Sequence, residues 1–188
     1  LVVGAGVMGA GIAHWLASRG KRVILRDVEP SFVARGLAHV QTLFEAGIRR
    51  GVLSPHDARQ GMDRITPCSG EFDPKGADLV IEAVPEKLEI KRKVLEELEP
   101  HLSERALLAT NTSALSIDQL AKGLNHPERF FGLHFFNPVH RMSLIEIVRG
   151  KRTSTNVTST SSARPPRTTS RPASASTCNS PRRKADGR

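Results

Sequence analysis

The chain opens LVVGAGVMGAGIAHWLASRG, and this stretch constrains the fold more than any other. Three apolar residues predict a strand, and Gly4, Gly6 and Gly9 predict a tight turn. Ile12, Ala13, Leu16 and Ala17 then recur at helical spacing until Gly20. In a G-x-G-x-x-G turn the first glycine allows the sharp bend and the second lets the backbone approach a pyrophosphate. The third lets the helix pack closely on the strand, while the helix N-terminus faces the anion. Taken alone, such a match is often an ordinary glycine turn. Here the following strand, KRVILRD, ends at Asp27, 18 residues past Gly9. That is close to the spacing at which a carboxylate takes the ribose hydroxyls of a dinucleotide. An acid there repels a 2′-phosphate and favours NAD over NADP, although the adjacent Arg26 offers such a phosphate a partner. Met8, inside the turn, is counted with Gly4, Gly6, Gly9 and Asp27 as cofactor-binding.

The rest of the first 150 residues alternates in the same way. Phe32, Val33, Leu37, Val40, Leu43, Phe44 and Ile48 predict a long amphipathic helix closing at Gly51. SPHDARQGM starts a short helix with Ser54 at its cap and Pro55 in its first turn. ADLVIEAV is a buried-type strand, EKLEIKRKVLEELEP a charged surface helix, and RALLATNTS a strand entering a polar turn. SIDQLAKGL reads as a short helix, and RFFGLHFFNPV and SLIEIVRG as two more strands. On the charged helix, Glu89 with Lys93 and Arg92 with Glu96 are spaced for i,i+4 pairs. The pattern predicts an α/β fold of Rossmann type: a doubly wound, mainly parallel sheet with helices on both faces.

GAGVMGAGIA, VIEAVPEKLEIK, ATNTSALSI and RFFGLHFFNPVHRMSLIEIV together resemble the NAD-binding domain of L-3-hydroxyacyl-CoA dehydrogenase, over essentially all of residues 1–150. IRRGVLSPHDARQGMDRITP is similar to the fused alpha subunit of the fatty acid oxidation complex, in which a hydratase domain stands upstream. The resemblance implies NAD as cofactor, an acyl-CoA substrate and a place in fatty acid β-oxidation. It makes His134 the catalytic histidine, and a neutral imidazole suits removal of a hydroxyl proton because it titrates near neutral pH. It sets Glu146 against that histidine; a Glu inside SLIEIV is costly to bury without a partner. Ser113 and Asn137 match positions beside substrate and nicotinamide. Glu86, Lys91 and the backbone around Val84 match cofactor contacts. The other histidines, His14, His39, His56, His101, His126 and His140, are read as bystanders.

Composition changes abruptly after Gly150. The whole chain carries a formal +9. Residues 151–188 supply nine Lys or Arg against the single acid Asp186, so the body is nearly neutral. This stretch has fifteen Ser or Thr, four Pro and no Leu, Ile, Phe or Met, and is expected to be a disordered basic tail. It has no aromatic residue for base stacking, which argues against a nucleic-acid partner. The resemblance implies instead a helical C-terminal domain, through which the family dimerises. The tail is therefore expected to be a frameshift product, and the start inside a strand at Leu1 a truncation. That would leave an NAD-binding fragment without full turnover. Cys68 and Cys178 form neither a disulfide framework nor a metal cluster, which suits a reducing compartment. The expected location is the bacterial cytoplasm, with mitochondrion or peroxisome as alternatives. No apolar run reaches the roughly 18 residues of a membrane span.

Overall fold

A computed structural model describes residues 1–70 and 72–157. The strands are β1 (Val2–Val3), β2 (Val23–Asp27), β3 (Ile65–Ser69), β4 (Leu79–Glu82), β5 (Leu107–Thr110), β6 (Phe130–Phe135) and β7 (Ile145–Val148). The helices are α1 (Val7–Ala17), α2 (Pro30–Arg49), α3 (Pro55–Asp63), α4 (Leu88–Leu98) and α5 (Ile117–Leu120). The strands form one sheet in the order β3-β2-β1-β4-β5-β6-β7. Every pairing is parallel except β6 with β7. Strand order reverses between β1 and β4, so a crevice opens beyond their carboxyl ends.

Alternation along the strands divides the core in two. Val2, Ile81, Ala109 and Phe131 point to one face, where Ile12 and Ala13 of α1 and Val40 and Phe44 of α2 cover them. Their neighbours Val3, Val80, Leu108 and Phe130 point to the other, under Leu95 of α4 and Leu120 of α5. Two glycines fix the meeting of β1, α1 and β4. Gly4 has φ +104°, and a Cβ there would lie 2.6 Å from the Ala83 carbonyl oxygen. A Cβ on Gly9 would lie 1.7 Å from the Gly4 oxygen, so the helix packs this closely only without a side chain.

Three details depart from the sequence pattern. β3 was not anticipated, because ITPCS contains Pro67 and buries little; an edge position tolerates both. On α4 the expected pairs are replaced: Lys93 approaches Glu97 at 3.9 Å, and Arg92 donates to the Gln119 carbonyl at 3.0 Å. The packed body also runs past the composition break at Gly150. Thr153 Oγ1 accepts from Gly150 N–H at 2.9 Å and donates to the Phe130 carbonyl at 2.7 Å, and Val157 is buried in the core. Residues 151–157 thus belong to the folded unit, because one hydroxyl and one valine suffice to anchor a polar stretch. The rest of the expected tail lies outside the described residues. Among the described residues, no helix is long and apolar enough to cross a membrane.

Candidate active site

The crevice at the β1/β4 switch holds a cavity of about 1000 Å³. Its floor is the glycine turn. Asp27, at the end of β2, accepts from Ala5 N–H through Oδ2 at 2.7 Å and from Val28 N–H through Oδ1 at 2.8 Å. The carboxylate thus latches the turn to the strand and still has lone pairs for hydroxyl donors. Gly6 caps α1 without any side-chain hydrogen bond, and no acid lies in the first turn. A Cβ on Gly6 would meet nothing within 4 Å, so the open space lies directly against the backbone. Bare N–H groups at a helix N-terminus, a carboxylate at hydroxyl-binding distance from the turn, and apolar walls from Val28, Phe32 and Ile90 fit a dinucleotide. Arg26 donates to the Gly70 carbonyl at 3.1 Å.

The far wall comes from β4 and β5. Glu86 accepts from the Thr112 hydroxyl and from Ser113 N–H (2.9 Å), and sits 3.3 Å from the Lys91 ammonium. Burial pushes the Glu86 carboxyl up, but these hydrogen bonds and the ammonium outweigh it and hold the group below the ordinary carboxylate range. Met8, Val84, Glu86 and Ser113 all line the cavity. The Val84 N–H is committed to Glu82 at 2.7 Å, which leaves its carbonyl and side chain for the cleft. Lys91 is fully buried, bonded to Glu82 at 2.8 Å, and reaches the cleft only by way of Glu86. Glu82, Asn111 and Thr112 join the site without having been expected from the sequence. A Glu inside the apolar run ADLVIEAV is as costly to bury unpartnered as one inside SLIEIV, and that is the signal that marks Glu82.

The antiparallel turn from β6 to β7 sets His134 directly across from Glu146. His134 Nδ1 lies 3.1 Å from Glu146 Oε2, and the ring leans on Phe136 with centroids 4.4 Å apart. The Glu146 side chain keeps 50% of its exposure, and the histidine only 19%. With Nδ1–H donated to the carboxylate, Nε2 is the basic nitrogen, and among the described residues it has no hydrogen-bond partner. The Asn111 side-chain oxygen accepts from Phe135 N–H at 2.9 Å, tying this strand to the cleft wall. Asn137, exposed at the exit of β6 before a cis peptide bond to Pro138, does not line the cavity.

The model of the 3-hydroxyacyl-CoA dehydrogenase NAD-binding domain matches residues 1–165. The chain belongs to this family. Among solved structures, the (S)-3-hydroxybutyryl-CoA dehydrogenase of Ralstonia eutropha is 36% identical, with a TM-score of 0.83 over 86% of this chain and 57% of that one. The 3-hydroxybutyryl-CoA dehydrogenase of Escherichia coli is 37% identical, with a TM-score of 0.81 over 85% of this chain and 34% of that one. The 3-hydroxyacyl-CoA dehydrogenase of Archaeoglobus fulgidus is 33% identical, with a TM-score of 0.70 over 86% and 50%. This chain therefore spans between about a third and just over half of the lengths of those relatives. Its NAD-binding character follows from the family and agrees with the fit of the cleft.

Proposed function

We propose that this chain carries the cofactor half of a site that oxidises (S)-3-hydroxyacyl-CoA thioesters to 3-oxoacyl-CoA, as a step of fatty acid β-oxidation. The observation that carries the reading is the His134–Glu146 pair, joined through Asn111 to the wall of a dinucleotide-shaped cleft. Bound NAD supplies the acceptor for the hydride leaving C3. His134 Nε2 takes the hydroxyl proton, so the substrate loses one proton to imidazole and one hydride to the ring. Glu146 accepts from Nδ1–H, fixes the tautomer and stabilises the imidazolium that forms. Ser113 and Asn137 act as hydrogen-bond partners of the reacting oxygen and the nicotinamide, and Asp27 takes the adenosine ribose. Residues 1–157 form the dinucleotide-binding unit.

A second reading has the chain bind NAD while turning over slowly. The half-exposed Glu146 and the exposed Met142, Leu144 and Val148 around it favour this, since the reacting pair stands open to water. NADH titration and the NADH absorbance change with acetoacetyl-CoA separate the two. NADH binding with oxidation that disappears in His134→Ala supports the dehydrogenase reading. Binding without oxidation leaves the second, and a chain that binds no NADH defeats both.

A further inference from the structure

Glu82 ends β4 with no exposed surface, and its two oxygens are fully engaged. Oε1 accepts from Lys91 Nζ at 2.8 Å and from Val84 N–H at 2.7 Å, and Oε2 accepts from Thr110 Oγ1 at 2.5 Å. Lys91, equally enclosed, reaches on to the Asn111 carbonyl at 3.3 Å and to Glu86 at 3.3 Å. One ammonium is thus shared between a sealed carboxylate and one at the cleft. Asn111 continues the path. The ladder between β5 and β6 runs to Thr110 opposite Gly132, and the Asn111 amide oxygen adds a further rung by accepting from Phe135 N–H at 2.9 Å. Phe135 follows His134. A hydrogen-bonded line therefore leads from Glu82 to the histidine strand, with a branch through Glu86 to the Ser113 turn.

A buried ion pair is a poor source of stability, because desolvating both charges offsets most of their attraction, and an apolar pair of equal volume serves a core as well. Its geometry, however, is stiff and directional. We propose that Glu82 is a positioning residue of the dehydrogenase site: it fixes Lys91, which holds the cofactor-side turn through Glu86 and the histidine strand through Asn111. This rests on the NAD-dependent reading above.

Glu82→Gln keeps the size and an acceptor for Val84 N–H but removes the anion facing Lys91. NADH binding by the 188-residue chain is read from quenching of Trp15, the single tryptophan, which stands edge-on to Phe135 with centroids 5.6 Å apart. Exchange at the Phe135 amide is read by NMR. The expected result is an NADH dissociation constant raised about tenfold and Phe135 exchange about tenfold faster, while β2 amides stay unchanged. A purely structural role would lower the melting temperature and speed exchange across the whole sheet. It would leave NADH affinity intact well below melting. Wild-type affinity and wild-type Phe135 exchange in the variant overturn the proposal. Should Glu82→Gln fail to fold, the apolar pair Glu82→Leu with Lys91→Met decides the matter, because it leaves no fully buried charge unpaired: Glu86, which also loses the ammonium, is partly exposed to water. Accelerated Phe135 exchange supports the proposal, and wild-type exchange overturns it. A wild-type chain that binds no NADH defeats the dehydrogenase reading as well. Wild-type binding with an indifferent variant defeats this inference alone.

Discussion

A proton arriving at His14 finds no acceptor among the described residues. The ring is buried on α1, 4.4 Å from Phe44, with neither nitrogen hydrogen-bonded to any of them. Burial, and then the positive groups His140, Arg19, Arg50 and His39, lower its pKa from 6.5 to about 4. The unfolded chain therefore accepts a proton near 6.5 that the folded chain refuses, and stability falls as pH drops from there toward 4. At roughly 1.4 kcal/mol per pH unit, the loss reaches about 2 kcal/mol at pH 5. Urea unfolding at pH 7.5 and pH 5 should register it, and His14→Leu should flatten the dependence. At the His134–Glu146 pair, the proposed chemistry predicts that His134→Ala cuts NADH oxidation by about a hundredfold or more while NADH still binds. Glu146→Gln should cut it less, because an amide still accepts from Nδ1–H but no longer stabilises an imidazolium. Equal NADH oxidation rates in His134→Ala and wild type would remove the histidine from the mechanism. Sequence alone exposed Glu146 because a Glu in an apolar run demands a partner. The apolar run by itself does not name that partner; the family resemblance pointed to His134, and the cross-strand register is what sets the two residues opposite each other. His14 gave no such signal, since helical spacing does not say which face of α1 meets Phe44.

At the scale of elements, the glycine turn separates into two tasks that substitution can tell apart. Gly9→Ala drives a methyl into the Gly4 carbonyl and should cost about 3 kcal/mol in urea unfolding. Gly6→Ala meets nothing in the fold, and its φ of −69° suits alanine, so stability should hold within about 1 kcal/mol. Its methyl would occupy the space a pyrophosphate needs, and NADH affinity should drop about tenfold or more. If Gly6→Ala bound NADH as tightly as wild type, the anion would not rest on that turn. Most elements were readable because their periodicity was unbroken: α2 ran to within a residue or two of its expected end, and β2 ended at Asp27 as expected. β3 was not, since an edge strand needs neither apolar faces nor every N–H. The charged helix α4 misled for a different reason. Lys91 sits on its inner face, and residue type alone marks a lysine as solvated.

For the molecule as a whole, the boundary of the folded unit follows hydrogen bonds rather than composition. A chain ending at Gly150 should be about 3 kcal/mol less stable than one ending at Val157, because the shorter one uncovers the core where Val157 packs and frees the Phe130 carbonyl. Equal stability of the two would make residues 151–157 passive. The doubly wound sheet was legible from alternation, and an NAD-binding domain from the motif of glycines and Asp27 on one side of the cleft. The path joining that side to His134 was not, because it runs through a buried lysine and an asparagine backbone that no spacing rule marks. The latch between Asp27 and the turn carries a last consequence. Both carboxylate oxygens are already held by backbone N–H groups in the free chain. The loss of loop freedom therefore falls on folding and not on association. NADH should enter a ready-made cradle in one kinetic phase, with a rate linear in its concentration and no slow rearrangement behind it.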